Sequence, residues 1–210
     1  MPSRIVNVMD AVPPSRRSGP VPSEETTTAI RQAVVAELAE RGYEQLSVEA
    51  VARRAGVGKA AVYRRHRTRQ DLVLDVVAFY ATEAVAATVW RDTGELVGDV
   101  AAFVAGTARY LADPVVAGIT ADILALAARD AGFAAALHER AGAFRRARAV
   151  EVIKRAIARG ELPRRCDTEL AADLLGAPLY WRLVVRRGSA GRAYQRRLVA
   201  AIVAAITASA

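Results

Sequence analysis

Apolar residues recur every three to four positions along most of this chain, which is the spacing of one buried face of an α-helix. The first such stretch begins at Ser23, a favourable N-cap residue, and continues through Ile30, Val34 and Leu38 to a stop at Gly42. No stretch shows the alternation of apolar and polar residues that is typical of a half-buried strand. The pattern therefore predicts an all-α fold of about nine helices.

Capping residues and helix breakers mark the other predicted elements. A short second helix is expected between Ser47 and Gly56, a third over 58–65, and a longer fourth helix over 69–90. The later predicted elements are a helix capped by Thr93 and ending at Asp113, one beginning at Pro114, a long helix over 130–159, a helix capped by Asp167, and a last helix over 192–207.

The stretch from Ser47 to Tyr63 has the pattern of a helix-turn-helix, in which two short helices are joined by a tight turn. Gly56 suits a turn with positive φ, and Ala52 is small where the two helices would cross. Val57 and Val62 are expected to pack the second helix on the first. The outer face of the second helix would then be free to enter a DNA major groove.

Positive charge is concentrated on this motif. The chain of 210 residues has 30 Lys and Arg against 22 Asp and Glu, a net charge of +8. The stretch from Ala50 to Gln70 contains seven of these cations and no acidic residue. A local field of this size suits contact with nucleic-acid phosphates.

Several classes of protein are disfavoured. A single cysteine, Cys166, cannot form an intrachain disulfide, so a cytoplasmic protein is expected. The longest stretch without a charged residue, 198–210, is shorter than the span of about 18 residues that a transmembrane helix needs. His66 and His138 lack metal-ligand spacing, and Gly58-Lys59 lacks the other residues of a phosphate loop. We expect no enzyme, catalytic residue, cofactor, metal or membrane partner.

Residues 30–74 closely resemble the DNA-binding domain of TetR-type transcriptional regulators. The residues that carry the resemblance are Gly42-Tyr43, Ser47-Val48, Ala55-Gly56-Val57, Val62-Tyr63, Arg64-Arg65 and Arg69. The later part is similar to one branch of the family at Ala112-Asp113-Pro114, Arg159-Gly160-Glu161-Leu162, 167–175 and 178–182. The chain departs from the pattern at Gly58, where Ser is usual, at Ala60 and Ala61, where Thr is common, and at His66, where Phe or Trp is usual.

Residues 1–22 hold five of the eight prolines and lack an apolar period, so a disordered tail is expected there. The resemblance implies a helix-turn-helix DNA-binding domain over 23–70 and a ligand-binding and dimerisation domain over 71–210. The implied DNA-binding residues are Ser47, Arg53, Arg54, Gly58, Lys59, Ala60, Ala61, Tyr63, Arg64, Arg65 and Arg69. The expected pocket residues are Phe79, Phe103, Tyr110, Ile119, Leu124, Phe133, Leu137 and Tyr180. The expected dimer-interface residues are Leu170, Leu174, Leu179, Leu198, Ile202 and Ile206, with packing of the same stripes inside the chain as the alternative.

The implied function is that of a dimeric, ligand-responsive transcriptional regulator. It would act as a repressor that binds a palindromic operator in double-stranded DNA and is released by a small-molecule effector. Two alternatives remain open from the residues alone. One is an all-α enzyme or small-molecule-binding protein whose basic segment is only a solvated face, and the other is a basic amphipathic protein that lies on anionic membranes.

Overall fold

The computed structural model describes residues 23–86 and 92–209, and these residues contain α-helices and no strand. The helices are α1 (Glu24–Gln45), α2 (Val48–Arg54), α3 (Lys59–Tyr63), α4 (Arg69–Ala86), α5 (Leu96–Leu111), α6 (Pro114–Ala127), α7 (Ala131–Leu137), α8 (Ala143–Ala158), α9 (Thr168–Tyr180) and α10 (Arg192–Ala208). The predicted tail and the predicted end of the fourth helix at Trp90 lie outside the described residues.

Two π-helical turns extend the longer helices. The first, His138–Gly142, joins α7 to α8, and the second, Trp181–Val185, continues α9 three residues after Pro178. Because α7, the first π turn and α8 form one continuous rod, the described residues contain nine helical rods. The prediction of an all-α fold with about nine helices is confirmed.

Side-chain caps fix most helix starts where the sequence predicts them. The Ser23 hydroxyl accepts a hydrogen bond from the Thr26 amide at the start of α1. The Asp113 carboxylate accepts from the first free amides of α6, which begins at Pro114. The Asp167 carboxylate does the same for α9. These bonds satisfy amides that have no partner inside the helix.

The prediction that Thr93 caps the fifth helix is wrong. Helix α5 begins at Leu96, and the Leu96 amide donates to the Glu161 carboxylate over 2.6 Å. The Thr93 hydroxyl instead lies 2.8 Å from the buried Asp99 carboxylate, which also accepts from Arg159 over 3.0 Å. A carboxylate from a distant part of the chain replaces the local cap, which no local pattern indicates.

The described residues form two hydrophobic clusters. The first, which we call the reader core, joins α1 to α4 and includes Val34, Val62 and Leu72. Ile123 of α6 and Phe133 of α7 also belong to it, so apolar packing is continuous beyond residue 70. The second, the body core, is built from α5, α8, α9, the second π turn and α10.

The body core uses part of the apolar surface that the sequence assigns to a dimer interface. Leu179, Ile202 and Ile206 are buried inside the chain, and α10 packs against α5. Leu198 packs against the same core and is partly buried. The prediction that Leu179, Ile202 and Ile206 face a second copy is therefore wrong, because side chains that are buried inside their own chain cannot also contact a second copy.

Among the described helices, none is by itself both long and apolar enough to cross a membrane. Helices α5 and α6 meet these criteria only as a pair, and the two are bent by 88° relative to each other.

The burial of α4 residues in the reader core gives a stability prediction. Leu72 is fully buried there, so Leu72→Ala should lower the free energy of unfolding by about 2–5 kcal/mol, because the lost methyl groups leave a cavity. Val97→Ala, at a side chain that is 51% exposed, should change it by no more than about 0.5 kcal/mol. Urea unfolding followed by circular dichroism measures both. Equal effects would contradict the assignment of Leu72 to a packed core.

Candidate DNA-binding surface and ligand cavity

The turn between α2 and α3 has the geometry that its sequence predicts. The Ser47 hydroxyl accepts from the Ala50 amide over 3.1 Å and caps α2. At the other end, Gly56 has φ +67°, the Val57 amide donates to the Ala52 carbonyl over 3.0 Å, and the Gly56 amide donates to the Arg53 carbonyl. This is a Schellman turn, in which a residue with positive φ satisfies the last carbonyls of a helix.

Helix α3 presents a distinct outer face. Val62 is fully buried against the reader core, and this contact fixes the rotation of the helix. Lys59, Ala60, Tyr63 and Arg64 are exposed as a result, and Tyr63 is 49% accessible. Ala61 is half-buried, and Gly58 caps the helix without a side-chain bond.

Three of the seven cations of this region hold the domain together. Arg54 bonds to the carboxylates of Glu37 and Glu40 on α1, with 2.8 Å between its Nε and the Glu37 Oε1. Arg69 donates to two carbonyls at the end of α1 and lies over the Tyr43 ring, with 4.3 Å between its guanidinium carbon and the ring centroid.

Arg65 is the third of these cations. Its guanidinium reaches the Thr27 hydroxyl and the carbonyls of Ala61 and Ser23. The Arg54 charge is compensated by carboxylates, whereas Arg65 and Arg69 bond to neutral groups and still contribute to the positive field. All three are predicted DNA contacts, and the structure gives their side chains a packing role that the sequence pattern did not indicate.

The other four cations, Arg53, Lys59, Arg64 and Arg67, are exposed. Arg53, Arg64 and Arg67 form no ion pair with a described residue, and Arg67 is one that the sequence-based site missed. The Lys59 Nζ lies 2.7 Å from the Glu49 carboxylate, but both side chains are at least half exposed. An exposed pair of this kind contributes little to stability, so the Lys59 ammonium can exchange this partner for a phosphate.

His66 is buried at the position where the resemblance leads one to expect an aromatic residue. Burial lowers the pKa of its imidazole below the usual value, since the charged form loses hydration. The nearby carboxylates of Asp75 and Asp71 oppose this effect, and the cations Arg31 and Arg65 add to it. The ring is therefore neutral at pH 7 and occupies buried space between α3 and α4 in the sequence.

A large cavity lies between the reader core and the body core. Its volume is about 800 Å³, within the usual range for a small-molecule site. Helices α1, α4, α5, α6, α8 and α9 contribute to its walls, together with the first π turn. The predicted pocket residues that line it are Phe103, Tyr110, Ile119, Leu124, Leu137 and Tyr180.

Phe79 and Phe133, also predicted as pocket residues, lie outside the cavity wall. Phe133 is buried in the reader core. Phe79 packs edge to face on Tyr80 and carries the Arg31 guanidinium over its ring, 4.1 Å from the centroid. Helical periodicity marks all these residues as inward-facing, but it does not say which of them meet a neighbouring helix and which meet an open space.

Polar residues in the mainly apolar wall were missed by the sequence analysis, which chose only apolar and aromatic side chains. They include Thr107, Asp113, His138, Arg145 and Arg146. The Arg145 guanidinium lies over the Tyr110 ring, 4.4 Å from its centroid, and burial lowers the pKa of Arg145 and raises that of Tyr110. In the described residues, no group of three or more His, Cys, Asp or Glu side chains has the arrangement of a metal site.

Among the described residues, two side-chain hydrogen bonds join helices α1 to α4, which we call the reader, to the helices from α5 onward, which we call the body. Gly42 has φ +71° and interrupts α1, and the Tyr43 amide freed by this break donates to Asp122 of α6 over 3.1 Å. A Cβ at position 42 would lie 3.1 Å from the same carboxylate oxygen, so glycine is favoured by space as well as by φ. At the start of α4, the Gln70 amide donates to Asp130 over 2.8 Å.

Comparison with known proteins agrees with this geometry. Residues 30–76 match the bacterial regulatory proteins of the tetR family, and residues 90–202 match the tetracyclin repressor-like C-terminal domain. The uncharacterized HTH-type transcriptional regulator YdeS of Bacillus subtilis is 27% identical over 84% of this chain and 87% of its own length.

Two solved structures have a similar fold. The TetR family transcription regulator SCO0332 has a TM-score of 0.68 and is 26% identical, over 86% of this chain and 98% of its own. The transcriptional regulator FadR of Bacillus subtilis in complex with stearoyl-CoA has a TM-score of 0.67, over 88% of this chain and 99% of its own. At 14% identity the latter shows a shared fold alone.

The burial of His66 gives a pH prediction. The unfolded chain takes up a proton on His66 near pH 6.5, whereas the folded chain does so only at a lower pH. As the pH falls below about 6.5, the unfolded state therefore binds more protons, and the free energy of unfolding should decrease until the folded pKa is passed. Urea unfolding between pH 7.5 and 5 measures this decrease.

The matched variants isolate the group responsible. His66→Phe should flatten the dependence, because it fills the same space with an uncharged ring. His138→Gln leaves His66 in place, so the free energy of unfolding should depend on pH as in the wild-type protein. An unchanged pH profile in His66→Phe would show that another group carries the effect.

Proposed function

Because this chain belongs to the TetR family of bacterial regulatory proteins, we propose that it is a dimeric repressor that releases its operator when a small molecule fills the cavity. It is a transcriptional regulator with a helix-turn-helix DNA-binding part and a ligand-binding part. The observation that carries the proposal is the juxtaposition of an exposed, cationic α3 face with a body that contains a cavity of about 800 Å³.

The outer face of α3 is the part that reads DNA in this proposal. Lys59, Tyr63 and Arg64 enter the major groove or its edge, with Gly58, Ala60 and Ala61 allowing close approach because they have little or no side chain. Arg53 and Arg67 bind phosphates beside the groove, where exposed guanidinium groups fix the register of the protein on the duplex. Ser47 adds a phosphate contact at the start of α2, beside its role as a cap.

Dimerisation uses the outward face of α9 and the second π turn. Leu170, Leu174, Ala177, Trp181 and Val185 recur there at intervals of three or four residues. Trp181 is 58% exposed, and Leu170 and Val185 are exposed nearly as much. An apolar stripe of this kind is typical of a protein interface. A palindromic operator requires the two recognition helices of such a dimer to lie about 34–36 Å apart.

Release of DNA follows from the position of α6. Its residues Ile119, Thr120 and Leu124 line the cavity, while Asp122 on the same helix accepts the hydrogen bond from Tyr43 of the reader. A ligand that prefers a shifted α6 must also shift α1 and change the spacing of the recognition helices. A coupling of about 1–3 kcal/mol, typical of such systems, lowers DNA affinity about 5- to 150-fold.

The cavity also favours a second function, that of a small-molecule carrier. A carrier would bind its ligand with the same affinity whether or not DNA is present. A regulator must lose ligand affinity on DNA by the same factor as it loses DNA affinity on ligand, because the coupling is reciprocal. Ligand titrations with and without a bound operator therefore separate the two.

The docking of α3 gives the first functional prediction. An operator is selected by the wild-type protein from a random pool of duplex DNA, and its affinity is then measured by fluorescence anisotropy. Lys59→Ala and Tyr63→Ala should each weaken binding about 5- to 150-fold, as expected for the loss of about 1–3 kcal/mol of DNA contacts. Neither should change the dimer, since both side chains are exposed on the reader.

Arg164→Ala is the matched control. It also removes an exposed cation, but one on the body, between α8 and α9. Unchanged affinity in both α3 variants, or an equal loss in Arg164→Ala, would show that α3 does not dock in the proposed way.

The apolar stripe gives a prediction about assembly. Wild-type protein should have twice the chain mass of 22.4 kDa in light scattering, and Trp181→Asp should have the mass of a single chain, because a carboxylate would be buried in the interface. Val97→Asp puts the same charge on another exposed apolar position, on α5, and should stay dimeric. A dimeric Trp181→Asp would show that the interface lies elsewhere. A monomeric wild-type protein would show that the chain does not form the proposed dimer.

A further inference from the structure

One cation in the cavity wall, Arg145, has no counter-ion among the residues that the structure describes. Arg145 of α8 lines the cavity with its guanidinium over the Tyr110 ring, and it forms no ion pair with any residue that the structure describes. The adjacent Arg146 has the opposite environment, because it pairs with Glu169 and Asp173. The Arg145 guanidinium is therefore available to pair with an anionic ligand, whereas Arg146 already has carboxylate partners.

The surroundings of Arg145 make its isolation unfavourable. Most of the cavity wall is apolar, and the partly buried Arg145 loses part of its hydration there without compensation from a partner. Arginine stays protonated in proteins, so the charge persists. Stacking on the Tyr110 ring compensates only in part, since the attraction between a cation and a ring is weaker than a charged hydrogen bond. An anion bound beside Arg145 would supply the missing compensation.

The charges on the rest of the wall define what kind of anion fits. Asp113 lines the same cavity and already caps α6, and Asp173 lines it as the partner of Arg146. The Asp113 carboxylate has no ion-pair partner among the described residues, so it repels a second negative charge on a ligand, whereas the Asp173 charge is already offset by Arg146. A single guanidinium matches a single carboxylate, which it can bind through two parallel hydrogen bonds. These charges favour a monoanion over a phosphate monoester.

We propose that Arg145 anchors the carboxylate of the effector, and that the effector is an amphipathic carboxylic acid with an apolar body. The apolar body occupies the space between Phe103, Ile119 and Leu124, and its carboxylate lies against the exposed edge of the Arg145 guanidinium. This inference rests on the proposed function, because it names the chemical class of the molecule that controls DNA release.

The test measures binding to the full-length protein without DNA. The probes are decanoate, hexadecanoate and naphthalene-2-carboxylate, each compared by calorimetry with the alcohol of the same skeleton, and decyl phosphate is added as the dianion. Wild-type protein should bind at least one carboxylate about ten times more tightly than its alcohol and more tightly than the phosphate. Equal or weaker binding of all three carboxylates relative to their alcohols would overturn the proposal.

Three variants identify the group responsible. Arg145→Gln should weaken carboxylate binding about 10- to 100-fold and leave alcohol binding unchanged, and Arg145→Lys should recover part of the loss. Arg148→Gln, on the same helix but outside the cavity wall, should bind like wild type. Equal losses for acid and alcohol in Arg145→Gln would indicate a change in pocket shape and contradict an anchoring role.

A separate measurement tests operator binding and its release by a carboxylate. Ligand-free Arg145→Gln should bind the selected operator like wild type, but the carboxylate should no longer release it. If wild-type protein prefers carboxylates through Arg145 and yet binds no duplex DNA, the proposed function fails and the anchor stands. If DNA binds but no carboxylate preference exists, the anchor fails and the proposed function stands.

Discussion

The DNA-reading part of this protein depends on residues of the body to complete its core. Ile123 and Phe133 pack with α1 and α4, and Asp122 holds the amide that the break at Gly42 sets free. A four-helix segment of this size has little apolar surface to bury on its own, so these contacts contribute to its stability and fix its orientation. The same contacts make the reader sensitive to any movement of α6, which forms a wall of the cavity. In the proposed mechanism, stability and regulation thus use one set of packing contacts.

Positive charge has two uses in the reader. Arg54, Arg65 and Arg69 connect α2, α3 and α4 to α1 through carboxylates, carbonyls and an aromatic ring. The exposed cations beside α3 are free to meet phosphates. A sequence with seven cations in this region therefore offers fewer direct DNA contacts than it has charges, although the cations bonded to neutral groups still strengthen the field.

Local chemistry predicts the start and end of most helices here. Ser47, Asp113 and Asp167 are caps, and Gly56 is a turn residue, because each acts on amides and carbonyls within a few positions. What the sequence could not predict is set by distant partners. Glu161 replaces Thr93 at α5, and no local pattern shows that these residues meet. The resemblance predicted six of the cavity residues, but it missed Arg145, since a cation on a helix is ordinarily solvated. Ile202 and Ile206 were misassigned for a similar reason, because an apolar helix stripe does not reveal whether it packs inside the chain or against a second copy.

The dependence of DNA binding on salt concentration tests the central interpretation most directly. Arg53, Lys59, Arg64 and Arg67 are exposed on each reader, so a dimer would neutralise about eight phosphates and release their counterions. The logarithm of the association constant for the selected operator should fall with the logarithm of salt concentration with a slope of about −7, a loss of roughly 10³–10⁵ in affinity between 50 and 200 mM salt. An association constant that hardly changes over this range, or no binding to any duplex, would contradict the assignment of this surface to DNA.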